Sequence, residues 1–465
     1  MKKNGLIFLM TIFSFNLFGQ DVTGQWNGIL KVQGMQLRLV FNVTKSNDGY
    51  SSTMDSPDQG AKGIPVTNTI FENSKIKFEI TNSRIEYSGE LSENKIVGVF
   101  KQGGQEFPMN LSKEGIEKEK PVRPQEPIKP YSYYSEDIIF ENKKAGISLA
   151  GTLTLPNKNG VFPVVILITG SGPQNRNQEL FGHKPFLVIS DYLTKNGIAV
   201  LRYDDRGVGD SKGDFKTATT TDFSTDVESA ITYLQKRNEI NKNKIGLIGH
   251  SEGGIIAPMV ASKSKDVAFI VLLAGTGIQG NKLLLKQQEL IAKANGVSDT
   301  DIKKSIRTNT KLFEMVVESN DTSTLKESLK NTINKMLKND TITKIPNGIS
   351  IEEFVDLQVN QITSPWMLYF LKYNPATALE KVKCPILAVN GEKDLQVSSN
   401  ENLTAIKSAL KTGRNENVTI IEFPKLNHLF QECETGLPSE YSTIEQTFSP
   451  SALTEISNWI LNQLN

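Results

Sequence analysis

The sequence of 465 residues has few of the side chains that commonly bind transition metals: three histidines and two cysteines. The histidines are scattered and the cysteines lie far apart, so neither set has the ligand spacing of a metal site. The G-x-x-x-x-G-K-[ST] pattern of a phosphate-binding loop is also missing. These absences argue against metal chemistry and phosphate-loop nucleotide binding, and we expect no cofactor.

A strong net charge of either sign is missing as well. Lysine and arginine number 52 against 51 acidic residues, and removal of Lys2 and Lys3 with a leader would leave a net charge of about −1. We therefore expect no basic surface that would hold nucleic acid or anionic lipid. With 38% apolar and 22% charged residues, the composition is that of a globular chain long enough for two or three domains. A small-molecule partner is expected, and the oligomeric state stays open.

One apolar run stands out, from Gly5 to Phe18, and no later run is long enough to span a bilayer. Two lysines precede this run and a glycine closes it, and it is shorter than the ~20 residues of a membrane-spanning helix. We predict a signal peptide over residues 1–19, with cleavage before Gln20. No cysteine follows the leader directly, so we expect no lipid anchor. The mature protein is predicted to be periplasmic or secreted and not bound to a membrane.

The two cysteines, Cys384 and Cys433, would be allowed to pair in such a compartment. Cys384 begins a predicted strand, and the loop that carries Cys433 is expected near the far end of that strand, ~20 Å away. Because a disulfide requires Cα atoms within ~7 Å of each other, we expect both cysteines to be unpaired.

Residues 20–113 show short runs in which apolar and polar residues alternate. The apolar positions of two such runs are Leu37, Leu39, Phe41 and Val43, and Ile76, Phe78 and Ile80. A period of two predicts strands, and turn-forming residues separate the runs, so we predict a small antiparallel β-domain, either a sandwich or a barrel. Its polar outer positions contain no catalytic cluster, which favours a packing or docking role over ligand binding.

A linker is predicted over residues 114–135, since the stretch EGIEKEKPVRPQEPIKP at 114–130 is charged and rich in proline. Such a composition favours an extended, solvated tether. Residues 136–465 then alternate predicted strands with predicted helices, which is typical of a mostly parallel sheet with helices on both faces. From about 280 to 365 the spacing is helical without a strand, and we predict that this insertion forms a lid.

The pattern G-x-S-x-G occurs twice, at residues 249–253 and 209–213. Only the stretch 249–253 follows a predicted buried strand and opens a predicted helix. In that context a strained strand-to-helix turn exposes a nucleophilic serine, and the flanking glycines allow close backbone approach. Ser251 is therefore the candidate nucleophile, and Ser211 is interpreted as a turn residue.

A serine nucleophile needs a base that accepts its proton and a group that orients the base. His250 adjoins the serine and is expected to point to the other side of the strand, and His183 lies far upstream. The remaining histidine, His428, comes just after the last predicted strand and is the candidate base.

The orienting acid is expected after the preceding strand, where the sequence offers Glu392 and Asp394. We favour Asp394, because a tight turn after Gly391 would place it beyond the carboxyl end of that strand. The resulting chain order of serine, aspartate and histidine is the order found in α/β-hydrolases.

Residues 136–465 resemble the α/β-hydrolase superfamily and are similar to exported bacterial esterases grouped with serine aminopeptidase-like and bile-acid-thioesterase-like hydrolases. The matching motifs are GHSEGG at 249–254, DRGVGDS at 205–211, GEKD at 391–394 and NH at 427–428. The resemblance implies an α/β-hydrolase fold with a helical lid, preceded here by the small all-β domain. It also implies that Asp205 and Arg206 support the fold and are not catalytic.

An oxyanion hole is a further implication of the resemblance. One donor is the backbone N–H of Glu252, at the start of the helix after the nucleophile, where the helix dipole adds positive potential. The second is expected from the loop after the strand at 162–170. Thr169-Gly170 replaces the usual His-Gly pair there, which leaves the N–H of Ser171 as the expected donor and that of Gly172 as the alternative. The side chain of Glu252 is interpreted as a carboxylate of the first helical turn without a chemical role.

Two other patterns have competing interpretations. The G-x-G-x-x-G pattern at 275–280 is the fingerprint of a dinucleotide site only within a βαβ unit, and the next predicted strand begins only at Cys384, so we interpret it as the entry into the insertion. Four aromatic residues near the end of the insertion could line an acyl pocket, although core packing is favoured. They are Trp366, Tyr369, Phe370 and Tyr373.

The sequence thus predicts a serine carboxylic ester hydrolase that cleaves small-molecule esters through an acyl-enzyme intermediate. A serine peptidase or aminopeptidase of the same fold is the first alternative, but no acidic or arginine cluster in the insertion indicates capture of a peptide terminus. A secreted, non-catalytic binding protein is the second alternative. The presence of serine, aspartate and histidine at compatible positions argues against it.

Overall fold

The structure, a computed structural model, describes two compact units. The described residues are 21–32, 35–47, 49–102, 105–115, 122–338 and 350–464. The smaller unit comprises the described residues up to 115, and the larger unit comprises those from 122 onward. The predicted signal peptide at 1–19 lies outside the described residues.

The smaller unit is an antiparallel β-domain. Its strands are β1 (Gly24–Val32), β2 (Met35–Ser46), β3 (Gly49–Ser56), β4 (Ala61–Pro65), β5 (Asn68–Glu72), β6 (Lys75–Ile80), β7 (Ile85–Ser92), β8 (Lys95–Gln102), β9 (Gln105–Pro108) and β10 (Leu111–Ser112). The order is β10-β1-β2-β3-β5-β6-β7-β8-β9, and β10 also pairs with β8, so the sheet closes into a barrel. The predicted all-β domain is confirmed, and of the two predicted forms the structure has the barrel.

The inner face of the barrel is filled by alternating large side chains, as the period of two in the sequence predicted. Trp26, Phe41, Phe78 and Tyr87 are fully buried, and the rings of Phe41 and Phe78 stack with centroids 4.4 Å apart. Stacked aromatic rings of this kind add to the hydrophobic stabilisation of the core.

The segment that enters the larger unit differs from the predicted solvated tether. The side chain of Arg123 donates hydrogen bonds to the carbonyl oxygens of Ser442 and Ile444, at 2.9 Å each. Gln125 donates to the carbonyl oxygen of Phe448 at 2.6 Å and accepts from the N–H of Thr447 at 2.6 Å. These bonds join positions more than 300 residues apart, so part of the segment predicted as a linker is packed structure.

The larger unit contains one sheet and a set of helices. Its strands are β11 (Tyr134–Asn142), β12 (Ile147–Leu155), β13 (Phe162–Ile168), β14 (Ala199–Tyr203), β15 (Ile240–His250), β16 (Phe269–Leu273), β17 (Ile386–Gly391) and β18 (Val418–Phe423). Its helices are α1 (Pro185–Lys195), α2 (Thr220–Leu234), α3 (Gly253–Ala261), α4 (Gly280–Ala294), α5 (Asp299–Glu318), α6 (Thr322–Lys338), α7 (Ile351–Ile362), α8 (Pro365–Lys372), α9 (Ala376–Leu379), α10 (Ser399–Thr412) and α11 (Pro450–Leu464).

The sheet has the order β11-β12-β14-β13-β15-β16-β17-β18. The pairs β11–β12 and β12–β14 are antiparallel, and every later pair is parallel. Helices cover both faces: Val227 of α2 and Ile406 of α10 pack in the core on one face, and Phe186 of α1 and Ile456 of α11 pack on the other. The predicted mostly parallel sheet with helices on both faces is confirmed.

The insertion between β16 and β17 consists of helices α4 to α9. Leu312, Leu329 and Val355, from three of these helices, belong to one buried cluster, so the inserted helices have a hydrophobic core of their own. The helices continue past residue 365, where we had predicted the insertion to end, because α8 and α9 follow before β17 begins.

Two expectations about the rest of the chain concern membranes and thiols. Helices in the described ranges include none that is both long and apolar enough to cross a bilayer. Cys384 and Cys433 are both free thiols. Burial raises the pKa of each thiol to about 11, which keeps both protonated near neutral pH.

A buried ion pair holds the loop after β14 to helix α2. The Arg206 guanidinium donates to both carboxylate oxygens of Asp226, with Nε–Oδ2 and Nη2–Oδ1 distances of 2.8 and 2.9 Å. Asn142 Nδ2 also donates to Asp226 at 2.7 Å. Both charged side chains are buried, so removal of one would leave the other without its counter-charge.

We therefore expect Arg206→Met to lower the free energy of unfolding by about 3–5 kcal/mol, measured by urea unfolding. Lys330→Met is the matched control, because Lys330 pairs with Asp356 at 2.9 Å and both side chains are close to half exposed. That exposed pair is expected to contribute far less to stability than the buried pair. Equal losses for the two variants would contradict the structural role of Arg206.

Candidate active site

The turn that carries Ser251 connects β15 to α3 and is strained. Ser251 has a φ of +54°, a conformation that residues with a Cβ rarely adopt. A Cβ added at Gly249 would lie 2.0 Å from the carbonyl oxygen of Gly253, and one added at Gly253 would lie 2.3 Å from that of Ile168. Only glycine therefore fits on either side of the serine, which is the physical reason for the G-x-S-x-G spacing at this turn.

Asp394 and His428 follow the carboxyl ends of β17 and β18, and their side chains meet. His428 Nδ1 donates to Asp394 Oδ2 at 2.7 Å. The other carboxylate oxygen, Oδ1, accepts from the backbone N–H groups of Gln396 and Val397, at 2.8 Å each. Both partners are buried, so the acid and the histidine are held in fixed positions.

The other candidate acid, Glu392, points elsewhere. Its carboxylate accepts from the N–H of Lys425 at 2.9 Å, near the surface. Of the two acids that the sequence offered, the structure brings Asp394 to His428.

His250 connects the serine turn to the loop of His428, although we expected it to point to the other side of its strand. Its Nε2 lies 2.9 Å from the carbonyl oxygen of His428, and the two imidazole centroids are 4.8 Å apart. Because Ser251 is the next residue along the chain, this contact holds the loop of the candidate base against the residue that precedes the candidate nucleophile. Within the described ranges the Ser251 hydroxyl makes no hydrogen bond; contacts of this kind often tighten only when substrate binds.

The loop after β13 passes directly beside the serine. A Cβ added at Gly170 would lie 3.2 Å from the Cβ of Ser251. Asp205 holds this loop in place: its carboxylate accepts from Thr169 Oγ1 at 2.7 Å and from the N–H of Gln174 at 3.0 Å. Ser171 lies between these two anchors. The predicted fold-supporting residue Asp205 thus acts on the loop that carries the predicted oxyanion donor.

Burial also changes the acid–base properties of this loop anchor. The pKa of the Asp205 carboxyl is raised to about 8, chiefly by burial and against the hydrogen bonds from Thr169 and Gln174. Glu252 is a second buried carboxyl near it, and burial likewise raises the pKa of Glu252. No third group joins them as a metal site: the part of the chain that the structure describes has no cluster of three His, Cys, Asp or Glu side chains able to hold a metal ion.

The side chain of Glu252, which we interpreted as a carboxylate of the first helical turn, lies at the start of α3 and is bonded to two other helices. It is 3% exposed, and its Oε1 accepts hydrogen bonds from Thr220 Oγ1 at 2.7 Å and from Trp366 Nε1 at 2.8 Å. A bond between positions 114 residues apart cannot be read from local spacing. It joins the inserted helix α8 to the residue that follows Ser251.

The four aromatic residues of α8 and its C-terminal end form two stacked pairs. Trp366 stacks on Phe370 with centroids 4.8 Å apart, and Tyr369 stacks on Tyr373 at 5.4 Å. Phe370 is buried in a cluster with residues of α3 and the loop after β17. The buried members of that cluster are Ile255, Met259, Leu283, Phe370, Ala378 and Val397. These contacts are consistent with the favoured interpretation as core residues.

The glycines at 275–280 pack against protein atoms. The N–H of Gly277 donates to Asn402 Oδ1 at 2.9 Å, and a Cβ there would lie 2.4 Å from the carbonyl oxygen of the same asparagine. A Cβ at Gly280 would lie 2.0 Å from the carbonyl oxygen of Phe370. Close packing between elements explains this glycine spacing, and helix α4 follows it where a dinucleotide fold would continue to a strand.

Comparison with known proteins gives matches at the level of family, sequence and structure. The family described as serine aminopeptidase, S33, matches residues 186–434, more than half of the chain. Esterase EstD of Thermotoga maritima is 24% identical over 330 residues, covering 70% of this chain and 69% of its own length. The α/β hydrolase GrgF of Penicillium sp. sh18 covers 71% of this chain and 98% of its own, with 16% identity and a TM-score of 0.44. The esterase Pf2001 of Pyrococcus furiosus covers 75% of this chain and 100% of its own, with 15% identity and a TM-score of 0.44.

The family match extends from α1 to beyond His428, and so includes Ser251 and Asp394. The matched range lies within residues 136–465, the part of the sequence that resembles esterases and serine aminopeptidase-like hydrolases. The sheet of the larger unit, mostly parallel and covered on both faces, has the architecture that this resemblance implied. The chain therefore belongs to the serine aminopeptidase S33 family of hydrolases, and its larger unit has the α/β-hydrolase fold.

Proposed function

We propose that the protein is a serine carboxylic ester hydrolase with the catalytic triad Ser251, His428 and Asp394. The observation that carries this proposal is the buried 2.7 Å hydrogen bond between His428 and Asp394, at the edge of the sheet where a strained turn presents Ser251. The similarity to esterase EstD supports an ester as the substrate. Carboxylic esters of small molecules are the proposed substrate class.

In the proposed reaction, the Nδ1–H of His428 stays bonded to Asp394, which leaves the Nε2 lone pair free to accept a proton. His428 Nε2 takes the proton of Ser251 while the serine oxygen attacks the ester carbonyl carbon. The tetrahedral intermediate then breaks the bond to the alcohol oxygen, which receives the proton from His428. Water, deprotonated by the same imidazole, attacks the acyl carbon; the bond to the Ser251 oxygen then breaks, the acid is released, and the serine oxygen takes the proton back from His428.

The developing oxyanion is proposed to bind the backbone N–H groups of Glu252 and Ser171, with Gly172 as the alternative second donor. The N–H of Glu252 lies at the start of α3, where the helix dipole favours negative charge. The close approach of Gly170 to Ser251 supports a donor from the same loop. Within the described ranges, no protein acceptor takes the N–H of Glu252 or of Ser171.

Helices α4 to α8 are proposed to act as a lid over the site, and the hydrogen bond from Trp366 of α8 to Glu252 supports this role. We propose that the aromatic pairs of α8 and its C-terminal end border the acyl group besides their packing role, because Trp366 is bonded to Glu252, the residue after the nucleophile. The predicted signal peptide supports a periplasmic or secreted location, in which the β-barrel unit has the packing or docking role that its polar surface indicates.

Esters and peptides are distinguished by turnover of matched chromogenic substrates. We expect the purified protein to hydrolyse p-nitrophenyl acetate or butyrate at least about 100-fold more efficiently than aminoacyl-p-nitroanilides, because the amide needs firm placement of a charged peptide terminus. The reverse preference would establish the peptidase that the family description suggests. A folded protein that cleaves neither substrate would support the binding-protein alternative and overturn the proposal.

A further inference from the structure

His250 is a buried imidazole with two hydrogen bonds that the proposed reaction does not use. Its Nε2 lies 2.9 Å from the carbonyl oxygen of His428, and its Nδ1 lies 2.8 Å from Gln178 Nε2. The two partners come from different parts of the site, because Gln178 follows the loop of Ser171 and His428 follows β18. His250 thus joins the oxyanion loop, the serine turn and the loop of the base.

These partners fix the tautomer of His250. A carbonyl oxygen only accepts hydrogen bonds, so Nε2 must carry the proton that reaches His428. Nδ1 then has a lone pair, and the amide group of Gln178 donates to it. Turning that amide over would place its oxygen against the lone pair, so the Gln178 side chain has one favourable orientation.

Gln178 is held in this orientation at a cost. It is 1% exposed, its φ is +51°, and its Oε1 has no hydrogen-bond partner in the described part of the chain. A strained backbone and an unsatisfied buried oxygen are each unfavourable. Both unfavourable features occur at the residue that donates to His250. This indicates that the hydrogen bond from Gln178 to His250 has a role in the site.

His250 must also be uncharged to hold this tautomer beside His428. Burial, together with the neighbouring His428, lowers the pKa of His250 to about 3, against the bond to the carbonyl oxygen, which favours the charged form. In the proposed reaction His428 becomes positively charged, with its ring centroid 4.8 Å from that of His250. A positively charged His250 at that distance would disfavour the charged form of His428, whereas a neutral His250 does not.

We propose that His250 is a positioning residue for the base: its Nε2–H holds the backbone carbonyl of His428, and Gln178 fixes the tautomer that makes this bond possible. The inference rests on the proposed function, since it assigns to His428 the role of general base. His250 transfers no proton and does not touch the substrate. It sets the distance between His428 Nε2 and the Ser251 hydroxyl.

Two variants of nearly equal polarity, His250→Gln and His250→Asn, test whether a donor at the position of His250 Nε2 is required. The amide nitrogen of glutamine in His250→Gln can occupy the position of Nε2, whereas the asparagine side chain in His250→Asn reaches only the position of Nδ1. We expect His250→Asn and His250→Leu to lower kcat for a p-nitrophenyl ester by about 10- to 100-fold with KM within about threefold. His250→Gln is expected to restore kcat to within about fivefold of the wild type. Equal kcat values for the Gln and Asn variants, both folded by circular dichroism, would overturn the proposal.

A second readout does not depend on turnover. In 15N-labelled wild-type protein, the signals of His250 are identified by their loss in His250→Gln. We expect a protonated Nε2 and an unprotonated Nδ1 that stay unchanged from about pH 5 to 8, while an ordinary histidine titrates there. A protonated Nδ1, or titration of His250 in that range, would disprove the inference. If wild-type protein shows this tautomer but hydrolyses no ester, the proposed function is wrong, while the hydrogen bond from His250 to the carbonyl of His428 is still supported.

Discussion

Replacing Ser251 by alanine is expected to lower ester turnover by about 10⁴- to 10⁶-fold, since no other hydroxyl lies at the turn where β15 meets α3. Alanine tolerates the positive φ of this position about as poorly as serine does, so the fold should be retained. The measurement is kcat for p-nitrophenyl butyrate, with circular dichroism to show that the variant is folded.

The second G-x-S-x-G pattern supplies the control. Ser211 is buried, its Oγ donates to the carbonyl oxygen of Asp204 at 2.7 Å, and it accepts from the N–H of Ala150 at 2.9 Å. Ser211→Ala is therefore expected to lower the free energy of unfolding by about 1–3 kcal/mol while kcat stays within about threefold of the wild type. Loss of turnover in folded Ser211→Ala, with turnover retained in Ser251→Ala, would mean that the wrong serine has been assigned.

Replacing Asp394 by asparagine is expected to lower kcat by about 10²- to 10⁴-fold. In the wild type, Oδ1 accepts from the N–H groups of Gln396 and Val397, so an asparagine would keep its oxygen there and turn its NH₂ group toward His428. An NH₂ donor facing Nδ1 would stabilise the tautomer with the proton on Nε2. That tautomer cannot accept the proton of Ser251.

The matched control is Glu392→Gln, which changes the other acid of the same loop in the same way. Within the described residues, the Glu392 carboxylate accepts a hydrogen bond from the N–H of Lys425 alone, and its replacement is expected to leave kcat within about threefold of the wild type. A larger loss in Glu392→Gln than in Asp394→Asn would show that Asp394 does not orient the base.

The sequence predicted those features of the fold that depend on neighbouring residues. The alternating run from Leu37 to Val43 lies in β2, and the apolar run before Ser251 lies in β15. Hydrophobic spacing and glycine positions determine such elements locally. The sequence also limited the candidates for the orienting acid to Glu392 and Asp394. This too was a local inference, because both residues follow one predicted strand by a few positions.

Contacts between distant residues that no motif marks were not predicted. The bonds of Arg123 and Gln125 to the region around residue 445, and the bond from Trp366 to Glu252, join positions that local patterns cannot pair. His250 was expected to point to the other side of its strand, but its bonds to His428 and Gln178 were not predicted, because alternation along a strand gives the direction of a side chain and not which loop meets it. The closure of the barrel through β10 likewise depends on a strand of two residues.

The central claim is that the Ser251 hydroxyl is the nucleophile activated by His428. The most direct test is to treat the purified protein with a fluorophosphonate and to locate the adduct by peptide mass spectrometry. We predict a single adduct on the peptide that contains Ser251, with labelling slowed strongly in His428→Ala and abolished in Ser251→Ala. Labelling that persists in Ser251→Ala, or an adduct on another serine of the wild type, would contradict the claim.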